Sequence, residues 1–159
     1  MDRIDLSILS ALETDGRLSY ADLGERVGLS KSPCWKRVQA LEASGAIQSY
    51  RAVIDPAALG LETTAFIQVV VAFEQHDAFE AAVGRHPRIL SAHATVGEAD
   101  YLLHVIASGM PALDEFLRQE LWRLPGVQRF VTTIAMRTIK PPGPITANAS
   151  PAKLERSSR

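Results

Sequence analysis

The chain has 159 residues, 47% of them hydrophobic, and a formal net charge of −1. That length holds one ordinary domain or two small ones, and the balanced charge excludes binding of nucleic acid through bulk positive charge, so any DNA contact must come from a local patch. A single cysteine, Cys34, excludes an intramolecular disulfide; with an acidic opening, MDRIDLSIL, and no apolar run near the roughly 18 residues of a membrane span, the sequence points to a cytoplasmic protein without targeting or membrane segments.

Asp2 to Thr14 predicts a helix, with Asp2 as cap and Ile4, Ile8, Leu9 and Leu12 along one side. Asp15-Gly16 ends it, and Ser19 is placed to cap the next. Tyr20 to Gly45 reads as two short helices joined by a tight turn. Gly24 lies inside the first of them, where glycine costs about 1 kcal/mol against alanine, so a second helix is expected to approach closely there. Gly28 supplies the turn. Ser30 or Ser32 caps the third helix, and Pro33 fits its first turn. Cys34, Val38 and Leu41 give that helix a buried stripe, which makes Cys34 a core residue rather than a nucleophile. Its opposite face carries Lys31, Ser32, Trp35, Lys36 and Gln39. This is the helix-turn-helix pattern, whose second helix suits a DNA major groove. A helical hairpin in an ordinary core shares the pattern, and this stretch alone does not separate the two. Ile47 to Ile54 alternates and is β-rich, as a small wing or a strand leading out of the domain.

DPAALGL, residues 55–61, breaks the pattern and is placed as a linker between a domain at 1–54 and another at 62–140. Thr63 to Phe73 predicts a strand and Asp77 to His86 a helix, with Phe79, Ala82 and Val83 inward. Ile89 to Val96 and Tyr101 to Ala107 predict a hairpin across the turn Gly97-Glu98-Ala99-Asp100. Met110 to Leu124 predicts a helix, with Leu113, Phe116, Leu117, Leu121 and Leu124 on one side, and Val127 to Ile139 a last strand. The order β-α-β-β-α-β is the ferredoxin-like arrangement, in which two helices cover one sheet face and the other is left open to associate or bind. Residues 141–159, rich in Pro, Ser and Ala, are expected to form a disordered tail.

The fold class expected is therefore α+β, a winged helix-turn-helix followed by a βαββαβ module. DRIDLSIL, DGRLS, RVGLS, SPCWKRVQALE, GAIQSY, VGEADYLLHV and LPGVQRFVTTIAMRTIK, taken in order over about residues 2 to 140, resemble the Lrp/AsnC family of feast/famine transcriptional regulators. The resemblance implies a DNA-binding domain and a regulatory, amino-acid-binding domain of the RAM type. It also implies homodimers that assemble further, commonly to octamers, with a free amino acid bound where regulatory domains of neighbouring subunits meet.

On this reading the DNA-contacting candidates are Ser30, Lys31, Ser32, Trp35, Lys36, Arg37, Gln39 and, on the expected wing, Arg51. Ser and Gln can hydrogen-bond base edges, Lys can reach guanine or phosphate, and an indole can pack on a thymine methyl. Arg37 fits a phosphate or an internal salt bridge equally well. The effector candidates are Val96, Gly97, Glu98, Asp100, Tyr101, Thr132 and Thr133. Gly97 would let a backbone approach closely, flanking amides would suit a carboxylate, and Asp100 would accept from an α-ammonium group. A hairpin turn uses Gly and Asp for its own sake as well, and on residues alone that reading is the stronger one. Thr132 and Thr133 must point to opposite faces of their strand.

His76, His86, His93 and His104 lack metal-ligand spacing, and no nucleophile-base or phosphate-loop pattern occurs. An enzyme is not expected, nor a metal or cofactor beyond the effector. The function expected is an amino-acid-responsive regulator of transcription. An architectural DNA-binding protein without an effector is the other reading.

Overall fold

The structure, a computed structural model, describes residues 1–149. The chain forms two compact units. One comprises Met1–Val53 together with the segment from Lys140, and the other Ile54–Ile139.

The first unit holds three helices: α1 (Arg3–Thr14), α2 (Tyr20–Val27) and α3 (Lys31–Ala43). Asp2 starts α1 through a reciprocal capping box. Its carboxylate accepts from the Asp5 N–H at 2.8 Å, and the Asp5 carboxylate accepts from the Asp2 N–H at 2.8 Å. Ser19 caps α2 by accepting from the Asp22 N–H, and Pro33 lies in the first turn of α3. Ser30 occupies the cap position of α3, but its hydroxyl makes no cap hydrogen bond. Ile8, Leu23, Cys34, Val38 and Leu41 are buried together, with Leu9, Leu12, Leu18 and Leu29 packed around them. Burial also raises the Cys34 thiol pKa, so Cys34 is core and its thiol stays protonated.

Two glycines make the α2–α3 turn. Gly28 has φ 74°, the left-handed conformation that ends α2. Gly24 is buried, and a Cβ there would lie 2.6 Å from the Leu29 carbonyl oxygen. What approaches Gly24 is thus the backbone of the turn itself, not a second helix as expected; the Leu29 N–H donates to the Gly24 carbonyl at 2.8 Å.

The expected wing is absent. Residues 48–55 form no strand. Ile47 packs on the core and Tyr50 donates to Glu42 of α3 at 2.9 Å, while Val53 is fully exposed. The alternation is β-like, but a strand exists only against a partner, and among the described residues this unit offers none. The linker region contains a short 3-10 turn, Pro56–Leu59, that the Asp55 side chain caps and Gly60 ends. Residues 141–149, assigned from sequence to a disordered tail, are placed with the first unit. Ile145 and Thr146 bond to Glu13 of α1. Residues 150–159, the rest of that expected tail, lie outside the described residues.

The second unit is a four-stranded antiparallel sheet of β1 (Thr63–Val71), β2 (Ile89–Ala94), β3 (Tyr101–Ala107) and β4 (Val127–Ala135), in the order β2-β3-β1-β4. Helices α4 (His76–Val83) and α5 (Met110–Glu115) contribute to one core. Phe79, Val83, Leu113, Phe116 and Leu121 pack with Ala65, Ile67, Val69, Leu103 and Val105 from the central strands. The helix expected to run to Leu124 changes pitch: a π-helical turn, Phe116–Glu120, and a 3-10 turn, Leu121–Arg123, continue α5. An α-helix would swing Leu121 well away from Phe116, five residues earlier; the wider π turn brings both into the core. The other sheet face, carrying Phe66, Gln68, Leu102, His104, Val131 and Thr133, is covered by nothing in this unit.

Candidate DNA-reading helix and effector turn

α3 is held by its apolar stripe, so its remaining face is set by the helical period. Ser30, Lys31, Ser32, Trp35, Lys36 and Gln39 are all exposed there, Trp35 at 45%. Among the described residues, Lys31, Ser32, Trp35 and Lys36 make no side-chain hydrogen bond, so their polar groups are open to an external partner. Gln39 donates to Glu42 at 2.9 Å, a bond within the helix that it must exchange to reach a base. Arg51 lies exposed in the irregular segment after α3 rather than on a wing.

Arg37 is the exception. Its Nη1 lies 2.7 Å from Asp2 Oδ2 and 2.7 Å from Asp5 Oδ1. These bonds raise its already high pKa, first through Asp5 and then through Asp2. In the same way the Asp5 N–H, followed by Arg37, holds the Asp2 carboxyl below the usual carboxylate range. The phosphate role expected as one of two options therefore gives way to the internal one: Arg37 ties α3 to the capping box of α1.

The turn between β2 and β3 is built around Asp100. Its N–H donates to the Val69 carbonyl at 3.0 Å, and its Oδ2 accepts from the Val71 N–H at 2.8 Å. Thr95 closes the turn, its N–H donating to the Asp100 carbonyl at 2.8 Å and its hydroxyl to the Ala99 carbonyl at 2.6 Å. Asp100 thus extends the β1–β3 ladder past its last pair, Val69 with Tyr101. Gly97 has φ 151°, with open space where a side chain would sit, and Val96 is fully exposed beside it. The N–H groups of Gly97, Glu98 and Ala99 donate to no group among the described residues.

One residue of this site was not anticipated. Arg129 of β4 donates through Nη2 to the Glu98 carbonyl at 3.4 Å. Gln68, Val70, Arg129 and Val131 line a small cleft with Glu98 and Ala99, of about 40 Å³. That is room for a few waters, each needing roughly 10–15 Å³ of such space, and too little for an amino acid. Arg129 carries no local sequence signal; it joins the turn because β4 pairs with β1 and sets it opposite Val70.

The remaining effector candidates separate. Tyr101 is buried and points to the helix side. It donates to Glu80 Oε1 at 2.8 Å and lies 3.0 Å from His76 Nδ1, which then serves as the donor of the pair. Burial, then Glu80, pushes the Tyr101 pKa up to about 12. Thr132 pairs with Ile67 and so faces the helix side, where its hydroxyl is buried and has no partner among the described residues. Thr133 pairs with Phe66 on the open face. The two threonines do point apart, and neither lines the cleft at Glu98.

Phe66 also stacks on His104, ring centroids 4.8 Å apart, and burial lowers the His104 pKa. Among the described residues no cluster of His, Cys, Asp or Glu is placed to hold a metal ion, and no helix is long and apolar enough to cross a membrane.

An exposed, polar second helix after a glycine turn, on a unit separate from a four-stranded α+β module, defines a helix-turn-helix protein with an appended α+β module. Comparison with known proteins gives the family. Residues 1–42 match the family model of the AsnC-type helix-turn-helix domain, and residues 64–145 that of the Lrp/AsnC ligand binding domain. The chain is 39% identical to the leucine-responsive regulatory protein of Salmonella typhimurium over 143 residues, 88% of this chain and 87% of that one. The Escherichia coli protein of the same name is 38% identical with the same coverage. Among solved structures, a transcriptional regulator of Neisseria meningitidis in complex with L-Met superposes with a TM-score of 0.84 at 37% identity, covering 88% of this chain and 92% of that one. An AsnC family regulator from Agrobacterium tumefaciens gives 0.83 at 33%, covering 88% and 93%. The chain belongs to the Lrp/AsnC family of transcriptional regulators, with a DNA-binding helix-turn-helix and a ligand-binding domain.

Proposed function

We propose that the protein regulates genes of amino-acid metabolism or transport, and that its effector is a free amino acid held at the Gly97–Asp100 turn. The observation that carries this is the turn itself. Three unpaired N–H groups, at Gly97, Glu98 and Ala99, suit a carboxylate, and Asp100 keeps its Oδ1 free of the Val71 bond and available to an ammonium group. The relative from Neisseria meningitidis, solved with L-Met, supports the ligand class. The cleft beside the turn is too small to enclose such a ligand alone, which favours a site completed by a second copy of the chain. Homodimers, and octamers built from them, are the assembly that the family resemblance implies. In a dimer two α3 helices contact successive major grooves, and the ligand biases the spacing at which they do so.

A thermal-shift screen of the twenty amino acids identifies the effector, since ligand at 100 times its Kd adds about 2.7 kcal/mol to the folded state. Asp100→Asn then tests the site. The amide oxygen still accepts from the Val71 N–H, so the ladder survives while the charge is lost. Expected is an effector affinity lower by about tenfold or more, the share of a charge-assisted hydrogen bond, with DNA affinity unchanged. Unaltered effector affinity removes Asp100 from the site. A blank across all twenty amino acids favours the architectural reading.

A further inference from the structure

The segment from Lys140 is part of the DNA-binding unit. Both carboxylate oxygens of Glu13, next to the last residue of α1, are engaged by it. Oε1 accepts from the Ile145 N–H at 2.6 Å; Oε2 accepts from the Thr146 N–H at 3.0 Å and from the Thr146 hydroxyl at 2.7 Å. Bonds to an ionised acceptor are the strong class.

Apolar anchoring, by contrast, is missing among the described residues of the segment. No residue of the 3-10 turn Thr146–Asn148 is buried, and Ile145 is 77% exposed. Clefts of about 500 and 410 Å³ flank the segment, one between Pro144 and the Ser7–Ser10 side of α1, the other between Ile145 and Ile47–Tyr50. A segment held by a few strong polar bonds with little buried area opens without disturbing the core beneath it.

The far end of α1 is tied to α3, through Arg37 on Asp2 and Asp5. One helix therefore carries the DNA-reading helix on its first turn and the C-terminal segment on its last.

We propose that Pro144–Asn148 is a releasable strap on the helix-turn-helix unit, clasped by Glu13, and that it passes the state of the regulatory module to the DNA-reading helices. The relay has a short covalent route. β4, whose Arg129 touches the Gly97–Asp100 turn, ends at Ala135, and the chain reaches the clasp ten residues on. This relay rests on the effector reading above; the clasp does not.

The test uses the full chain, Glu13→Ala, and a chain ended after Gly143, which leaves α1 unaltered. Amide hydrogen exchange at Ile145 and Thr146 reads the clasp. Affinity for a duplex selected in vitro by the wild-type protein, with and without each of the twenty amino acids, reads the relay. Expected are protected Ile145 and Thr146 amides in the wild type and exchange faster by about tenfold or more in Glu13→Ala. Affinity without amino acid should stay within about twofold in both variants, while the amino-acid-induced change seen in the wild type disappears. Wild-type amides that exchange as fast as those of Glu13→Ala overturn the clasp. A full response in either variant overturns the relay. A wild type that responds to no amino acid overturns the effector reading and the relay together, and the exchange result then decides the clasp alone.

Discussion

Lys36 and Arg37 are neighbours on α3 with opposite commitments. Lys36 is exposed and makes no hydrogen bond among the described residues, whereas Arg37 spends its guanidinium on Asp2 and Asp5. Mutation should separate them by salt dependence, because removing one lysine–phosphate pairing lowers the slope of log affinity against log salt by about 1. Lys36→Ala is expected to weaken DNA binding and flatten that slope, while Arg37→Ala leaves the slope and lowers stability instead. The stability loss should be modest, about 0–1 kcal/mol for each partly exposed pair. Titration over salt and a denaturant melt of both variants check the pair, and equal slopes for Lys36→Ala and the wild type would take Lys36 off the phosphate backbone. The identities of exposed α3 residues were legible because a 3.6-residue period fixes one face once Cys34, Val38 and Leu41 fix the other. Arg37 was not: it lies at the border of the two faces, and its partners come from a helix more than thirty residues earlier. Tyr101 was only half legible, since its place beside Asp100 in sequence does not reveal that alternation sends its hydroxyl to Glu80 on the opposite side of the sheet.

At the scale of elements, the α2–α3 turn is the most tightly determined part of the first unit. Gly24→Ala would raise helix propensity by about 1 kcal/mol in isolation, yet it sets a methyl 2.6 Å from the Leu29 carbonyl oxygen, a backbone atom that cannot step aside. The clash should win, with a net destabilisation of about 1–3 kcal/mol by chemical denaturation. A variant as stable as the wild type would mean the turn has room to shift. The elements with an unbroken periodic or β-rich signal were readable, including α1 to α3, β1 and the β2–β3 hairpin, even where, as for β1, the pairing partners lie far along the chain. Those whose form is set by what they pack or pair against were not. Residues 47–54 carry strand chemistry without a strand, because pairing is a property of two segments and only one was in view. The π turn at Phe116–Glu120 reconciles a core spacing with a helix only once the sheet beneath it is known. The segment on Glu13 was unreadable for a different reason: its composition lacks core-forming residues, and it is held by a single carboxylate.

For the whole molecule, the open sheet face is the feature that a single chain leaves unresolved. Phe66 at its centre is 39% exposed and Val131 beside it 53%, while on the opposite face the central strands bury Ala65, Ile67, Val69, Leu103 and Val105. If copies associate there, Phe66→Asp puts a charge into a desolvated contact, and sedimentation should shift from dimer or larger toward monomer. A variant that sediments as the wild type does would place the interface elsewhere. The break at DPAALGL begins two residues after one boundary of the two compact units, between Val53 and Ile54. The second boundary, between Ile139 and Lys140, was not legible as one. It makes the DNA-binding unit discontinuous in sequence, its pieces lying at both ends of the chain. Recombination that joins an N-terminal reader to a foreign sensor by one crossover near residue 54 would leave the closing piece behind. A lineage with this architecture can exchange its sensor intact only by replacing an internal block, a constraint on how such regulators diversify that a simple string of domains does not face.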